Sequence, residues 1–78
     1  MKARIIVTLK SGVLDPQGKA IESALGALGV AGVASLRQGK VFDVEIAAAD
    51  KDVARANLTT ACEKLLANTV IENYAIEL

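Results

Sequence analysis

Hydrophobic and polar positions alternate with a period of two at the start of the chain. The alternating apolar residues are Ala3, Ile5, Val7 and Leu9. This period predicts a β-strand with one buried face. Ile6 lies on the opposite face, where a polar residue is expected. That position indicates that the second face is covered as well.

A helical period follows the first strand. Asp15 precedes Pro16, which is typical of a helix start because the carboxylate caps the first turn and proline fits its first position. The apolar residues then recur at i, i+3, i+4 and i+7, as Ile21, Ala24, Leu25 and Leu28. This spacing predicts one buried helix face, and Gly29 suits the end of the helix.

The middle of the chain predicts a β-hairpin. The two strands are Val33–Gln38 and Lys40–Ala47, and in the second Phe42 and Val44 alternate with Asp43 and Glu45. Gly39 lies between the strands and can adopt the positive φ that a tight turn requires.

A second helix and a last strand complete the pattern. Asp50 is the predicted helix cap and Asn68 the predicted stop. The apolar face of this helix comprises Ala54, Leu58, Ala61, Cys62 and Leu65. Tyr74, Ile76 and Leu78 then alternate with polar or small residues, which predicts a closing strand.

The predicted order is therefore β-α-β-β-α-β in a single domain, residues 1–78. Short connections and right-handed crossovers favour a four-stranded antiparallel sheet with both helices on one face. This α+β arrangement is the ferredoxin-like fold. The fold by itself hosts many functions and so does not decide among them.

Composition bears on the partners of such a domain. Apolar residues make up 53% of the 78 residues, more than so small a core needs, which favours a subunit interface and a homodimer or dimer of dimers. Nine basic residues balance nine acidic ones, and the aromatic residues are Phe42 and Tyr74, so we expect no nucleic-acid partner. Without a signal peptide or an apolar run long enough to span a bilayer, a cytoplasmic location without membrane contact is expected.

Candidate chemistry is sparse. The chain has no histidine, and Cys62 is its one cysteine, so we expect no metal site and no catalytic or cofactor-binding residues. Cys62 lies on an apolar helix face, which favours a core role. The stretch from Gly12 to Lys19 differs from a phosphate-binding loop: five residues separate the glycines, and Ala20 follows the lysine.

Three stretches resemble the PurS family, the small subunit of phosphoribosylformylglycinamidine synthase. They are VTLKSGVLDPQGKA at residues 7–20, RQGK at residues 37–40, and LLANTVIENY at residues 65–74. The first stretch is the most specific. The length and the order of predicted elements also agree with this family over the whole chain.

The resemblance implies a non-catalytic subunit of an ATP-dependent complex. The synthase converts formylglycinamide ribonucleotide to the amidine with ammonia from glutamine. Its partners would be a glutaminase subunit and a larger synthetase subunit, and the PurS-like dimer would bridge them and support ammonia transfer. ATP and magnesium are expected on the synthetase subunit, with no cofactor on this chain. A small-ligand-binding regulatory domain of ferredoxin-like fold is the alternative.

The predicted partner-binding residues are Lys10, Val13, Leu14, Arg37 and Lys40. Val13 and Leu14 are apolar residues in a loop, where polar residues are expected. They either face a partner or fold inward as a hydrophobic staple beneath the first helix. The resemblance favours the partner, and the basic residues of the predicted hairpin would contact carboxylates there.

Overall fold

The computed structural model describes residues 1–78 and contains three strands and two α-helices. The strands are β1 (Lys2–Leu9), β2 (Gly39–Glu45) and β3 (Glu72–Glu77). The helices are α1 (Pro16–Ala27) and α2 (Lys51–Ala61), and α2 continues into a π-helical turn at Cys62–Leu66. Neither helix is long and apolar enough to cross a membrane.

The sheet is antiparallel, with β1 in the centre and the order β2-β1-β3. Ile5 of β1 pairs with Phe42 on one side and with Ile76 on the other. Directly paired residues of antiparallel strands point to the same face, so these three side chains form one row of the inner face. The period-two patterns of the first and last strands are thus confirmed.

The core lies between the inner face of the sheet and α2. Its buried residues are Ala3, Ile5, Val7, Ala54, Leu58, Cys62 and Ala67. Asp50 caps α2 as predicted, since its carboxylate accepts the backbone N–H of Val53 at 2.9 Å. With Gly18 added, only eight of 78 residues are buried, so this core is small even for a domain of this length.

The π-helical turn changes which residues of the second helix face the core. The backbone N–H of Ala67 donates to the carbonyl of Cys62 at 3.1 Å, an i to i+5 bond that widens the last turn. Buried and half-buried positions therefore follow a spacing of four through Leu58 and Cys62 to Leu66. The prediction that Leu65 belongs to the buried face is wrong, because its side chain is 83% exposed.

The predicted hairpin does not form. Residues 33–38 have no regular secondary structure, and the chain runs through Gly39 into β2 without turning back. The fourth strand is therefore absent, and positive φ occurs at Gly29 and Gly32 instead of Gly39. Gly39 allows β1 and β2 to approach each other closely. A Cβ at this position would lie 2.7 Å from the carbonyl oxygen of Val7 on the paired strand.

Helix α1 forms where predicted but does not pack on the sheet. The helix starts at Pro16 after the Asp15 cap, and Gly29 follows it with φ of +83°. Gly18 is its one buried residue, and the apolar Leu28 is 78% exposed. Helix α1 therefore extends the molecule, which measures 50 × 24 × 15 Å, and only α2 covers the sheet.

Candidate functional site

The candidate site is the loop between β1 and α1 together with the chain that returns beside it. We call residues 30–38 the return segment, because they run back along α1 towards β2. The Arg37 guanidinium reaches the loop and donates through Nη2 to the carbonyls of Val13 at 2.7 Å and Lys10 at 3.2 Å. These two contacts hold the predicted Lys10, Val13 and Arg37 together, although Arg37 lies 24 residues beyond Val13.

Asp15 fixes the other side of this loop. One carboxylate oxygen accepts the backbone N–H of Gly18 at 2.9 Å, and the other accepts that of Gln38 at 2.6 Å. The N–H groups of Gln38 and Gly18 hold the pKa of Asp15 below its ordinary value, because both hydrogen bonds favour the ionised form. Glu22 adds a third contact, accepting the backbone N–H of Leu36 at 3.1 Å.

The close contact between α1 and the return segment requires glycine at position 18. A Cβ on Gly18 would lie 2.8 Å from the carbonyl oxygen of Leu36 and 2.5 Å from the Asp15 carboxylate. Asp-Pro-Gln-Gly at 15–18 is part of the most specific stretch of the resemblance, and the structure explains why these residues occur there. They cap the helix, and they seat the return segment against the first turn.

Leu14 is the most exposed large apolar residue of the loop. Its side chain is 87% exposed, whereas Val13 is half-buried. The hydrophobic-staple alternative does not describe Leu14, because a staple would be covered by the helix. Both residues border a shallow groove of about 220 Å³ that also includes Lys19, Leu36 and Arg37.

Lys40 lies apart from this groove. Its ammonium group is 3.9 Å from a Glu72 carboxylate oxygen and 5.9 Å from the centre of the Phe42 ring. Both contacts belong to the inner side of the sheet, where Lys40 pairs with Val7. Thus Lys10, Val13, Leu14 and Arg37 form one cluster, the loop cluster, and Lys40 borders a second groove beside it.

Sequence reasoning missed a second group of exposed apolar residues, which lies on α1 and the return segment; we call these two elements together the projection. Its members are Ile21 and Leu28 of α1, and Val30 and Val33 of the return segment. Their signal in the sequence is the apolar period of α1, which predicts a face buried in the core. These four apolar side chains are exposed to solvent in the single chain.

Cys62 is the one thiol, and it is fully buried beneath the sheet. Burial raises the pKa of the Cys62 thiol, with a smaller contribution from the Glu63 carboxylate. A raised pKa keeps the thiol protonated and unreactive near neutral pH. The geometry therefore agrees with a core role for this residue.

Comparisons with known proteins agree over nearly the full length. The family model described as "PurS: Phosphoribosylformylglycinamidine (FGAM) synthase" matches residues 2–78. The phosphoribosylformylglycinamidine synthase subunit PurS of Synechocystis sp. is 49% identical over 96% of this chain and 75% of its own length. The subunit of the same name from Mycobacterium leprae is 48% identical over 96% of this chain and 91% of its own length.

Solved structures show the same fold. A chain of the Thermotoga maritima PurLQS structure has a TM-score of 0.91 and 38% identity, covering 97% of this chain and 93% of that one. Bacillus subtilis PurS in its C2 crystal form has a TM-score of 0.86 and 43% identity, covering 97% of this chain and 94% of that one.

Proposed function

Since this chain belongs to the PurS family, we propose that it is the small, non-catalytic subunit of a phosphoribosylformylglycinamidine synthase of purine biosynthesis. The family match over residues 2–78 carries the proposal. It is supported by a chain of a PurLQS structure that shares the fold at a TM-score of 0.91. This favours a complex subunit over the alternative of a free-standing ligand-binding regulatory domain.

The role we assign to the chain is to bridge the glutaminase and synthetase subunits. Ammonia released into water is diluted and protonated, so two docked active centres keep its effective concentration high. A rigid protein can supply that geometry without making or breaking a bond. ATP and magnesium would be bound by the synthetase subunit, and the assembled complex would be cytoplasmic.

The loop cluster is the proposed contact surface for a partner subunit. Its geometry supports this role, because Arg37 and Asp15 fix the loop from both sides while leaving Leu14 exposed. A loop whose backbone is already held in place loses little conformational entropy on binding, which suits a contact surface. Lys40 would take part at the neighbouring groove, since its ion pair with Glu72 is long at 3.9 Å and open to a competing carboxylate.

We assign the exposed apolar residues of the projection, together with Val41 of β2, to a homodimer or to a dimer of dimers. The support is the small core: eight buried residues leave Leu28, Val30, Val33 and Val41 exposed. A second copy that covered these side chains would add the apolar burial that the single chain lacks.

A reconstitution tests the assignment. The chain is mixed with the glutaminase and synthetase subunits from the same organism, and the species are separated by size-exclusion chromatography with light scattering. We expect a ternary complex in the presence of ATP, magnesium and glutamine, and weaker or no association of the two large subunits without the chain. Calorimetry with amino acids and nucleotides on the chain alone tests the alternative. Saturable binding there, with no ternary complex, would favour the regulatory domain.

A further inference from the structure

The shallow groove beside the loop between β1 and α1 is bordered by charged side chains of both signs. We call this groove, of about 220 Å³, the loop groove. Its acidic residues are Asp15 and Glu22, and its basic residues are Lys19 and Arg37. The formal charges of these four residues cancel. The charge that a partner meets in the groove therefore depends on which of the four side chains are already engaged within the chain.

The two acidic side chains are engaged. Three of their four carboxylate oxygens accept backbone N–H groups, which are those of Gly18, Gln38 and Leu36. The fourth oxygen, Oε1 of Glu22, lies 3.7 Å from the Lys19 ammonium group, and the Glu22 side chain is only 18% exposed. The negative charges of the groove are thus turned inward and stabilised by hydrogen bonds.

The two basic side chains keep free hydrogen-bond donors. The Lys19 side chain is 79% exposed, and its ion pair with Glu22 is long at 3.7 Å. Arg37 donates to the chain through Nη2 alone, so one N–H on Nε and two on Nη1 have no partner. The loop groove therefore presents cationic donors to the solvent although its formal charge is zero. A carboxylate is a ligand that such donors bind well.

An apolar surface and free backbone groups border the same groove. Leu14 is 87% exposed, and Val13 and Leu36 are half-buried. The backbone N–H groups of Gly12 and Leu14 have no partner within the chain and could pair with carbonyl groups of an incoming chain. The groove is smaller and shallower than the pockets of about 300–1,000 Å³ that hold small ligands. These features fit a peptide segment, which supplies a carboxylate, an apolar side chain and carbonyl groups together.

We propose that the loop groove binds an acidic segment of a partner subunit. An Asp or Glu carboxylate of that segment contacts Lys19 and Arg37, and a neighbouring apolar side chain packs on Leu14. This inference rests on the proposed subunit function and specifies the chemistry of the partner at the loop cluster. It also adds Lys19, which is not among the partner-binding residues predicted from the sequence, to the contact surface.

Zero-length cross-linking detects the proposed contact directly, because a carbodiimide joins a lysine amine to a carboxylate without a spacer. The reconstituted complex of the chain with the glutaminase and synthetase subunits is cross-linked, and the linked peptides are identified by mass spectrometry. We expect Lys19 to be joined to an Asp or Glu of one large subunit, beside an apolar residue. Lys64, which is exposed at the end of the second helix, is the control and should form no such link. A Lys19 that links only within its own chain or to a second copy would overturn the proposal.

Charge reversal measures the same contact in solution. Lys19→Glu should weaken binding of one large subunit about threefold to tenfold, because it replaces an attraction with a repulsion. The loss should shrink at high salt, which screens exposed charges. Lys64→Glu changes the net charge equally and should leave the affinity unchanged. Lys19→Gln adds no negative charge beside Glu22 and should show a smaller loss in the same direction. Unchanged affinity for both folded Lys19 variants would contradict the proposal.

Calorimetry with citrate on the chain alone tests whether the groove is instead a small-anion site. Citrate offers carboxylates to the same donors but has no side chain to cover Leu14. We expect no saturable binding. Saturable binding of citrate that Lys19→Gln abolishes would overturn the proposal and assign the groove to a free carboxylic acid.

These outcomes are separable from the proposed subunit function. If the ternary complex forms with unchanged affinity in the Lys19→Glu chain, and Lys19 is linked to neither large subunit, the groove assignment is wrong and the subunit role stands. If the wild-type chain forms no ternary complex, the subunit role fails and the groove assignment fails with it.

Discussion

The Asp15 carboxylate accepts the backbone N–H of Gln38 at 2.6 Å, although 23 residues separate the two in sequence. The same side chain caps α1 through Gly18. One acidic residue therefore starts the first helix and aligns the return segment with β2. The geometry of the loop cluster depends on this double contact.

Asp15 should make the stability of the chain sensitive to acid. Its pKa is lowered in the fold by the N–H groups of Gln38 and Gly18, so the ionised form is favoured there. The contribution is present above the ordinary aspartate pKa of about 4 and is lost as the pH falls through the lower folded value. We expect Asp15→Asn to be less stable than the wild type at neutral pH, with a difference that shrinks below about pH 4. Urea unfolding between pH 2 and 7 measures this, and parallel curves would contradict it.

Gly18→Ala should destabilise the projection, because the new Cβ would lie 2.8 Å from the Leu36 carbonyl oxygen. Overpacking of this kind costs about 1–3 kcal/mol. Gly26→Ala is the matched control, since a Cβ there meets nothing within 4 Å. That substitution should stabilise α1 by about 0.5–1 kcal/mol through helix propensity. Equal effects on the free energy of unfolding would show that α1 and the return segment do not pack as described.

Leu14→Ser should weaken assembly more than folding. The side chain is 87% exposed, so its loss costs the isolated chain little, whereas a partner subunit would lose a buried apolar contact. We expect binding of a large subunit to fall by about 1–3 kcal/mol. Leu65→Ser is the control, as this leucine is 83% exposed at the end of the second helix, away from the loop. Calorimetric titration of both variants decides whether the loop cluster is the contact surface.

Arg37→Glu tests the contacts that hold the loop in place. The guanidinium bonds to two loop carbonyls, so the substitution removes internal contacts as well as a charge. We expect a lower melting temperature and weaker assembly together. Arg37→Lys should recover the melting temperature only in part, because an ammonium group cannot reproduce the guanidinium geometry. An Arg37→Glu chain with unchanged melting would show that the loop does not need this contact.

Cys62→Ala should leave glutamine-dependent activity of the reconstituted complex intact. The thiol is buried, its pKa is raised, and no histidine exists in the chain to activate it. The loss of a packed sulfur should cost about 1 kcal/mol of stability. A large fall in turnover with normal unfolding would indicate a catalytic role for the thiol.

Local patterns were sufficient for most of the fold. Alternation located β1 and β3, and the caps Asp15 and Asp50 located the starts of both helices. The prediction of a fourth strand is wrong because Gly39 is not a turn residue. Its missing side chain instead leaves room for the Val7 carbonyl of the paired strand. The prediction that Leu65 is buried is wrong because the hydrogen bond from the Ala67 N–H to the Cys62 carbonyl shifts the helical phase. The helix propensities of the intervening residues do not reveal this shift.

The candidate site was predictable only in part. Leu14 is predicted as a partner-binding residue because it is apolar and lies in a loop, where polar residues are expected. The structure shows that it is exposed. The bond from Arg37 to Val13 spans 24 residues, so no local pattern could assign it. The period of α1 predicts an apolar face in the core, but a period does not distinguish a partner within the chain from a partner in another chain.

The most direct test of the subunit role compares two nitrogen sources. The synthetase and glutaminase are assayed for amidine formation with ATP and magnesium, once with glutamine and once with saturating ammonium, with and without this chain. A bridging, non-catalytic subunit predicts that glutamine-dependent turnover requires the chain, while ammonium-dependent turnover by the synthetase does not. Glutamine-dependent turnover that is unchanged when the chain is left out would contradict the account.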